Sequence, residues 1–223
     1  MKARLCAVFD IDDTLYLECD YVRSGFEAVG RWAAKWLQIE DFGERCWRSF
    51  AAGKRRSVFD EVLLETGREP LPEVVSALVE LYRVHMPSIS LLADASEALR
   101  GISRFASIAA ISDGAAVSQS RKAEALELEL FAAPIVLTEV LGREFRKPHP
   151  RAFQYVERCL PASVYVYVAD NPLKDFEAPK KLGWRTVRVR RSGGLHYAAE
   201  NLELTPDIEV NDCSDLADML SQL

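Results

Sequence analysis

LCAVFDIDDTL, residues 5 to 15, passes from five apolar side chains to three carboxylates within nine positions. The run Leu5 to Phe9 is too short for a helix and reads as a buried strand that stops at Asp10. Three runs further along resemble it: Ala106 to Ile111, Ile135 to Leu137 and Val164 to Ala169. A fifth candidate, Arg185 to Arg190, alternates Val187 and Val189 with arginines, which suggests an edge strand with one wet face. A sixth, Ile208 to Val210, precedes a final amphipathic stretch, Leu216 to Leu220. Helical patterns separate the later strands: Ala95 to Phe105, Val117 to Leu130, Pro150 to Cys159 and Leu173 to Leu182. Strands alternating with helices predict an α/β fold with a doubly wound, mostly parallel sheet of Rossmann-like type.

One connection breaks this rhythm. Asp10 and Ser112 lie 102 positions apart, whereas a parallel crossover needs only about a dozen residues. The surplus is helical in pattern: Tyr21 to Leu37, Arg45 to Ala51, Ser57 to Leu64 and Glu73 to Val84, with breaks near Gly43, Gly53 and Gly67 to Pro70. An insert of roughly 75 residues with its own apolar faces can form a small helical bundle. Residues 1–16 and 91–223 are therefore expected to form the α/β core and residues 17–90 a helical domain over the C-terminal end of the first strand. Trp32 and Trp36, four apart, are expected in that bundle's interior.

Composition narrows the partners. Lys and Arg number 28 and Asp and Glu 34, a net charge of −6, so the global basic field that carries non-specific nucleic-acid binding is absent. No stretch approaches the roughly 20 apolar residues of a membrane span. The apolar run after the basic start is shorter than a signal-peptide core. Five scattered cysteines without a C-x-x-C pair argue against a disulfide framework or a zinc site, and the expected compartment is a reducing cytoplasm.

Ligands of doubly wound sheets bind outside the carboxyl ends of the strands. Asp10, Asp12, Asp13 and Thr14 follow the first strand, Ser112, Asp113 and Gly114 the second, and Asp170, Asn171 and Asp175 the fourth. Each cluster alone could be a solvated turn or a helix cap. Gathered at one crest, the carboxylates would repel one another unless a cation neutralises them, and a hard, oxygen-preferring ion such as Mg²⁺ fits best. Lys147, in RKPHP, could be a plain surface charge. Beside a cation, though, its ammonium, the Ser112 hydroxyl and the backbone N–H groups of Asp113 and Gly114 make a cradle for a phosphoryl group.

With these motifs in this order, FDIDDTL at 9 to 15, ISDG at 111 to 114, Lys147 and VADNPLKDF at 168 to 176, the chain resembles the haloacid dehalogenase superfamily of aspartate-nucleophile hydrolases over nearly its whole length. The insert resembles that family's first type of cap domain. The resemblance implies Asp10 as nucleophile and Asp12 as general acid/base. It implies Ser112, Asp113, Gly114 and Lys147 as the phosphate site. Asp10, Asp170 and the Asp12 main-chain carbonyl would hold Mg²⁺. Asp175 would support the metal through its water shell or orient Lys147, and Thr14 and Asn171 would support the set from behind. Relatives often carry Asn at position 113 and Gly at 169, where this chain has Asp113 and Ala169.

The expected function is Mg²⁺-dependent hydrolysis of a small phosphate monoester, such as a sugar phosphate, through an aspartyl-phosphate. A sugar phosphomutase would keep every motif. A dehalogenase would need neither Mg²⁺ nor a second carboxylate, and an idle phosphoryl-binding module would have no use for the full set. Substrate choice is expected in the insert, whose most basic stretch holds Arg45, Arg48, Lys54, Arg55 and Arg56, with Tyr16 and Tyr21 flanking the entrance.

Overall fold

The computed structural model describes residues 5–223; residues 1–4, the basic start of the chain, lie outside them. In chain order the elements are β1 (Leu5–Phe9), α1 (Glu18–Leu37), α2 (Phe42–Ala51), α3 (Val58–Glu65), α4 (Pro72–Val84), α5 (Ala93–Ile102), β2 (Ser107–Ser112), α6 (Ala116–Ala125), β3 (Ile135–Leu137), α7 (Thr138–Leu141), α8 (Arg151–Cys159), β4 (Val164–Ala169), α9 (Glu177–Lys181), β5 (Arg185–Val189), β6 (Ile208–Val210) and α10 (Leu216–Ser221). They divide into two units, Asp20–Ser88 and the remainder.

The six strands form one parallel sheet in the order β3-β2-β1-β4-β5-β6. All five residues of β1 are buried, as an apolar run paired on both edges requires. Phe9 lies opposite Ala110 of β2 and Val168 of β4, and the Asp10 N–H still donates to the Val168 carbonyl at 2.9 Å. The strand order reverses between β1 and β4, so the loops after these two neighbours diverge and leave a crevice at their carboxyl ends. Asp10 and Asp170 are the first residues of those loops. On one face of the sheet Phe153 of α8 packs edge-on against Tyr167 and Trp184, with ring centroids 4.9 and 5.4 Å away.

Three departures from the sequence pattern have local causes. The helix expected to run to Leu130 ends at Ala125, and Glu127 takes a left-handed backbone (φ 51°) before a short 3-10 turn. The helix expected from Leu173 starts only at Glu177. Its first turn is replaced by a loop in which Asp175 N–H donates to the Asn171 carbonyl and Asn171 N–H to Asp175 Oδ2. The third concerns β5, which is not an edge: β4 and β6 flank it. Its arginines are not one wet face either. Arg188 is 1% exposed, and its guanidinium donates to the carbonyls of Asp170 (3.1 Å), His196 (3.0 Å) and Ala199 (2.8 Å) and to Glu209 (3.1 Å). Alternation with valine marks a fixed donor fork here, which a polarity pattern cannot distinguish from a solvated face.

The unit Asp20–Ser88 has an aromatic interior. The Phe26 ring lies 6.3, 6.0 and 5.6 Å from those of Phe50, Phe59 and Tyr82. A Cβ on Gly43 would come within 2.6 Å of the Phe26 carbonyl oxygen, so glycine is what lets α2 approach α1 so closely. Trp36, expected inside, is 62% exposed; it lies in the last turn of α1, past Ala33, the last buried position. In the basic stretch Arg45 pairs with Asp41 (2.9 Å) and Lys54 with Glu61 (2.8 Å), while Arg55 lies over the Phe50 ring and donates to its carbonyl. Arg48 and Arg56 are exposed. Among the described residues no helix is long and apolar enough to cross a membrane.

Replacing Arg188 by Met keeps the stem's bulk but leaves three carbonyls, that of Asp170 buried and those of His196 and Ala199 half-buried, without their donor. Arg188→Met is expected to lower the unfolding free energy by about 2–4 kcal/mol in urea titration. A loss under about 1 kcal/mol would show that the carbonyls find other partners.

Candidate active site

Lys147 is the hub at the carboxyl end of the sheet. Its side chain is 0% exposed, and burying an ammonium is prohibitive without partners. Its Nζ donates to Asp10 Oδ1 (2.5 Å) and the Tyr167 hydroxyl (3.0 Å) and forms an ion pair with Asp175 Oδ1 at 2.7 Å. Burial disfavours the charged lysine, but Asp10 and Asp175 outweigh that and hold its pKa well above the ordinary value. Asp175 thus orients Lys147 directly.

The carboxylates are not fully compensated in return. Burial pushes Asp10 up to about 6 against the pull of Lys147, with Asp175 adding to the rise. Asp170 is pushed well above the carboxylate range, first by burial and then by Asp10 and Asp175. Oxygens of Asp10, Asp170 and Asp175 lie within 4.8 Å of one another, and the buried Asp170 Oδ2 has no hydrogen-bond partner among the described residues. Three hard oxygen donors under mutual repulsion, with Asp170 Oδ2 and Asp175 Oδ1 both lacking a hydrogen-bond partner among the described residues, fit a divalent cation such as Mg²⁺. Asp175, expected either to act through the metal's water shell or to orient Lys147, lies against Lys147 and also within this donor set.

Asp12 is held differently. Its Oδ1 accepts from Lys122 Nζ at 2.6 Å and from the Tyr16 hydroxyl, and its Oδ2 from Gln119 Nε2 at 3.1 Å. Burial alone would raise this carboxyl, but the Lys122 charge and the hydrogen bonds from Lys122 and Tyr16 bring it below the ordinary value. Gln119 also accepts from Ser112 Oγ at 2.9 Å, linking Ser112 to Asp12. Gly114 gives Gln119 its room: φ is +137°, and a Cβ there would sit 2.6 Å from Gln119 Nε2. Tyr16, expected to flank the entrance, is buried with its hydroxyl on Asp12.

The remaining expected residues brace the loops. Asp113 turns its side chain to Thr138 Oγ1 (2.6 Å) and the Lys147 N–H (3.2 Å), with Lys174 Nζ at 3.7 Å, so only its backbone is left for an anion. Asn171 Oδ1 accepts from Leu173 N–H, closing its own turn. The Thr14 carbonyl accepts from buried Arg191 at 2.8 Å, while Thr14 Oγ1 is buried without a partner among the described residues. Asp13 accepts from the Glu18 and Leu195 N–H groups, tying the Ser192–Gly194 loop to the first loop.

Sequence reasoning missed Gln119, Lys122 and Lys174, and named Tyr16 without its bond to Asp12. One signal was present: Gln119 and Lys122, three apart, are polar side chains on the buried face of the helix that follows Ser112. Polar groups on a buried face need partners, and the nearest acceptors in prospect were the carboxylates of the first loop.

Comparison with known proteins identifies the family. Residues 5–183 match the model of the haloacid dehalogenase-like hydrolases. The chain is 27% identical to the glyceraldehyde 3-phosphate phosphatase of Methanocaldococcus jannaschii, over 97% of this chain and 96% of that protein. Among solved structures it is similar to the HAD-hydrolase YfnB of Bacillus subtilis, bound to magnesium (TM-score 0.67, 18% identity, 98% and 99% of the two chains). It is also similar to the 2-haloacid dehalogenase of Pseudomonas syringae pv. Tomato (TM-score 0.66, 20% identity, 98% and 99%). The fold and the match across most of its length make this chain a member of the haloacid dehalogenase-like hydrolase family.

Proposed function

We propose that the chain is a phosphatase that hydrolyses a small phosphate monoester through an aspartyl-phosphate on Asp10. One observation carries this reading: Asp12, two residues after Asp10 in the same loop, has its carboxyl held in place by Lys122, Tyr16 and Gln119. A second carboxylate serves a leaving alkoxide, which must be protonated, and has no task with a leaving halide. The orphaned Asp170 oxygen beside Asp10 points the same way, because an anionic nucleophile meets an anionic ester only where their repulsion is offset. The unit Asp20–Ser88 is proposed as the family's cap domain. Similarity to the archaeal enzyme makes glyceraldehyde 3-phosphate the first ester to try.

Asp10 and Asp170, with Asp175 and the Asp12 main-chain carbonyl as further donors, would hold Mg²⁺, whose chemistry is to neutralise charge on the transferring group. Lys147 orients the Asp10 carboxylate from one side. Asp10 attacks phosphorus; its O–P bond forms as the ester P–O bond breaks in line. Asp12 gives a proton to the departing oxygen. It then takes one from the water that attacks the aspartyl-phosphate, which frees phosphate and restores Asp10. Ser112 and the backbone N–H groups of Asp113 and Gly114 receive the phosphoryl oxygens.

Asp10→Asn is expected to cut kcat on p-nitrophenyl phosphate by on the order of 1000-fold or more while leaving the thermal midpoint near the parent's. Retention of most activity would falsify the nucleophile assignment. Chelation with EDTA should bring the parent enzyme to background, and added Mg²⁺ should restore it. Chloride release from 2-chloropropionate by the chelated protein, without phosphate release from any ester, would instead favour a dehalogenase.

A further inference from the structure

Helix α6 brings two polar side chains to one carboxylate from its buried face. Lys122 is 3% exposed, and Gln119 is buried beside it. A buried ion pair is weak evidence of a stabilising role, since desolvating two charges offsets most of their attraction. What sets Lys122 apart is how the contacts divide between the two oxygens of Asp12.

A carboxylate oxygen has two lone pairs. Oδ1 accepts from both Lys122 Nζ, at 2.6 Å, and the Tyr16 hydroxyl, and is full. Oδ2 accepts once, from Gln119 Nε2 at 3.1 Å, the longer contact, and keeps one lone pair. Gln119 cannot turn its amide over without setting its own oxygen, which now accepts from the Ser112 hydroxyl at 2.9 Å, against the Asp12 carboxylate. Only one oxygen of Asp12 is therefore open to exchange a proton, and α6 decides which.

We infer that Lys122 is a positioning residue for proton transfer: with Tyr16 it closes Oδ1 of Asp12, and Gln119 aims Oδ2 at the reacting oxygen. This rests on the phosphatase reading, in which Asp12 is the acid and then the base. The same network ties the acid to Ser112, so the phosphate loop and the proton-transfer group move as one piece. Without Lys122 the carboxyl can rotate and present either oxygen, and the proton is misplaced in both half-reactions.

The test compares two esters on folded variants. A 2,4-dinitrophenyl phosphate leaves without protonation, whereas an alkyl ester such as glycerol phosphate requires it. Lys122→Met is expected to lower kcat/KM for the alkyl ester by roughly 10- to 100-fold, a part of what a general acid contributes. On the activated ester kcat/KM should fall by less than about 3-fold, with a burst of dinitrophenolate, because breakdown of the phosphoenzyme still needs Asp12 as base. Lys122→Arg should restore part of the alkyl-ester rate. Asp12→Asn serves as reference and should show the same selectivity more strongly.

Equal losses on both esters, or no loss on either, would overturn the assignment to Lys122. If Asp12→Asn is itself unselective, the general-acid reading falls; if the parent hydrolyses no phosphate ester, the phosphatase reading falls, and the inference with it. Should Lys122→Met fail to fold, Gln119→Met decides on the same pair of esters: selective loss upholds the network, and unselective loss overturns it.

Discussion

The ammonium of Lys147 is the group on which the catalytic end of the sheet depends. It is sealed from water, donates to Asp10 and Tyr167, and is ion-paired with Asp175. That arrangement is mutual: the lysine stays charged because two carboxylates face it, and Asp10 and Asp175 stay buried because the lysine does. One ammonium cannot serve three carboxylates, however. Asp170 is left with an orphaned oxygen and a pKa driven well up by burial and by its neighbours. The imbalance is localised at the crevice between β1 and β4, where the oxygens of Asp10, Asp170 and Asp175 gather.

Asp10 and Asp12 are two residues apart in one loop, yet separate lysines from separate elements hold them. Lys147 precedes α8 and faces Asp10; Lys122 lies within α6 and faces Asp12. Their environments push the two carboxyls apart, Asp10 upward to about 6 and Asp12 downward. A nucleophile and an acid need the opposite order. In the proposed reaction a divalent cation on Asp10 would favour its ionised form, and a phosphate beside Asp12 would raise the carboxyl proposed to carry a proton.

Much of this was legible because the strands are short and apolar. β1, β3, β4 and β6 begin and end where the hydrophobic runs do, and the rule that ligands bind beyond strand ends then puts Asp10, Ser112 and Asp170 at one crest. Less legible were contacts that depend on where a helix turns its polar side chains. Lys122 in sequence is an ordinary helical lysine; only the register of α6, set after Gly114, aims it at Asp12. Asp113 was ambiguous for a related reason. Its partner Thr138 opens α7, a four-residue helix with too little periodicity to be read. Arg188 misled because alternation of valine with arginine describes a wet strand as well as a buried fork.

Two buried arginines show how the site loops are fixed without quenching the site. Arg188 donates to the main-chain carbonyl of Asp170, and Arg191 to that of Thr14. Each grips the backbone of a loop that carries a reactive carboxylate while its charge is directed elsewhere, Arg188 toward Glu209 and Arg191 toward Asp94 at 2.7 Å. Had either guanidinium paired with Asp170 or Asp10 directly, its bidentate fork would have filled the oxygens a cation needs. Holding loops by their carbonyls leaves the carboxylates rigidly placed but electrostatically unsatisfied, which is the condition for binding a metal and a phosphoryl group tightly at one point.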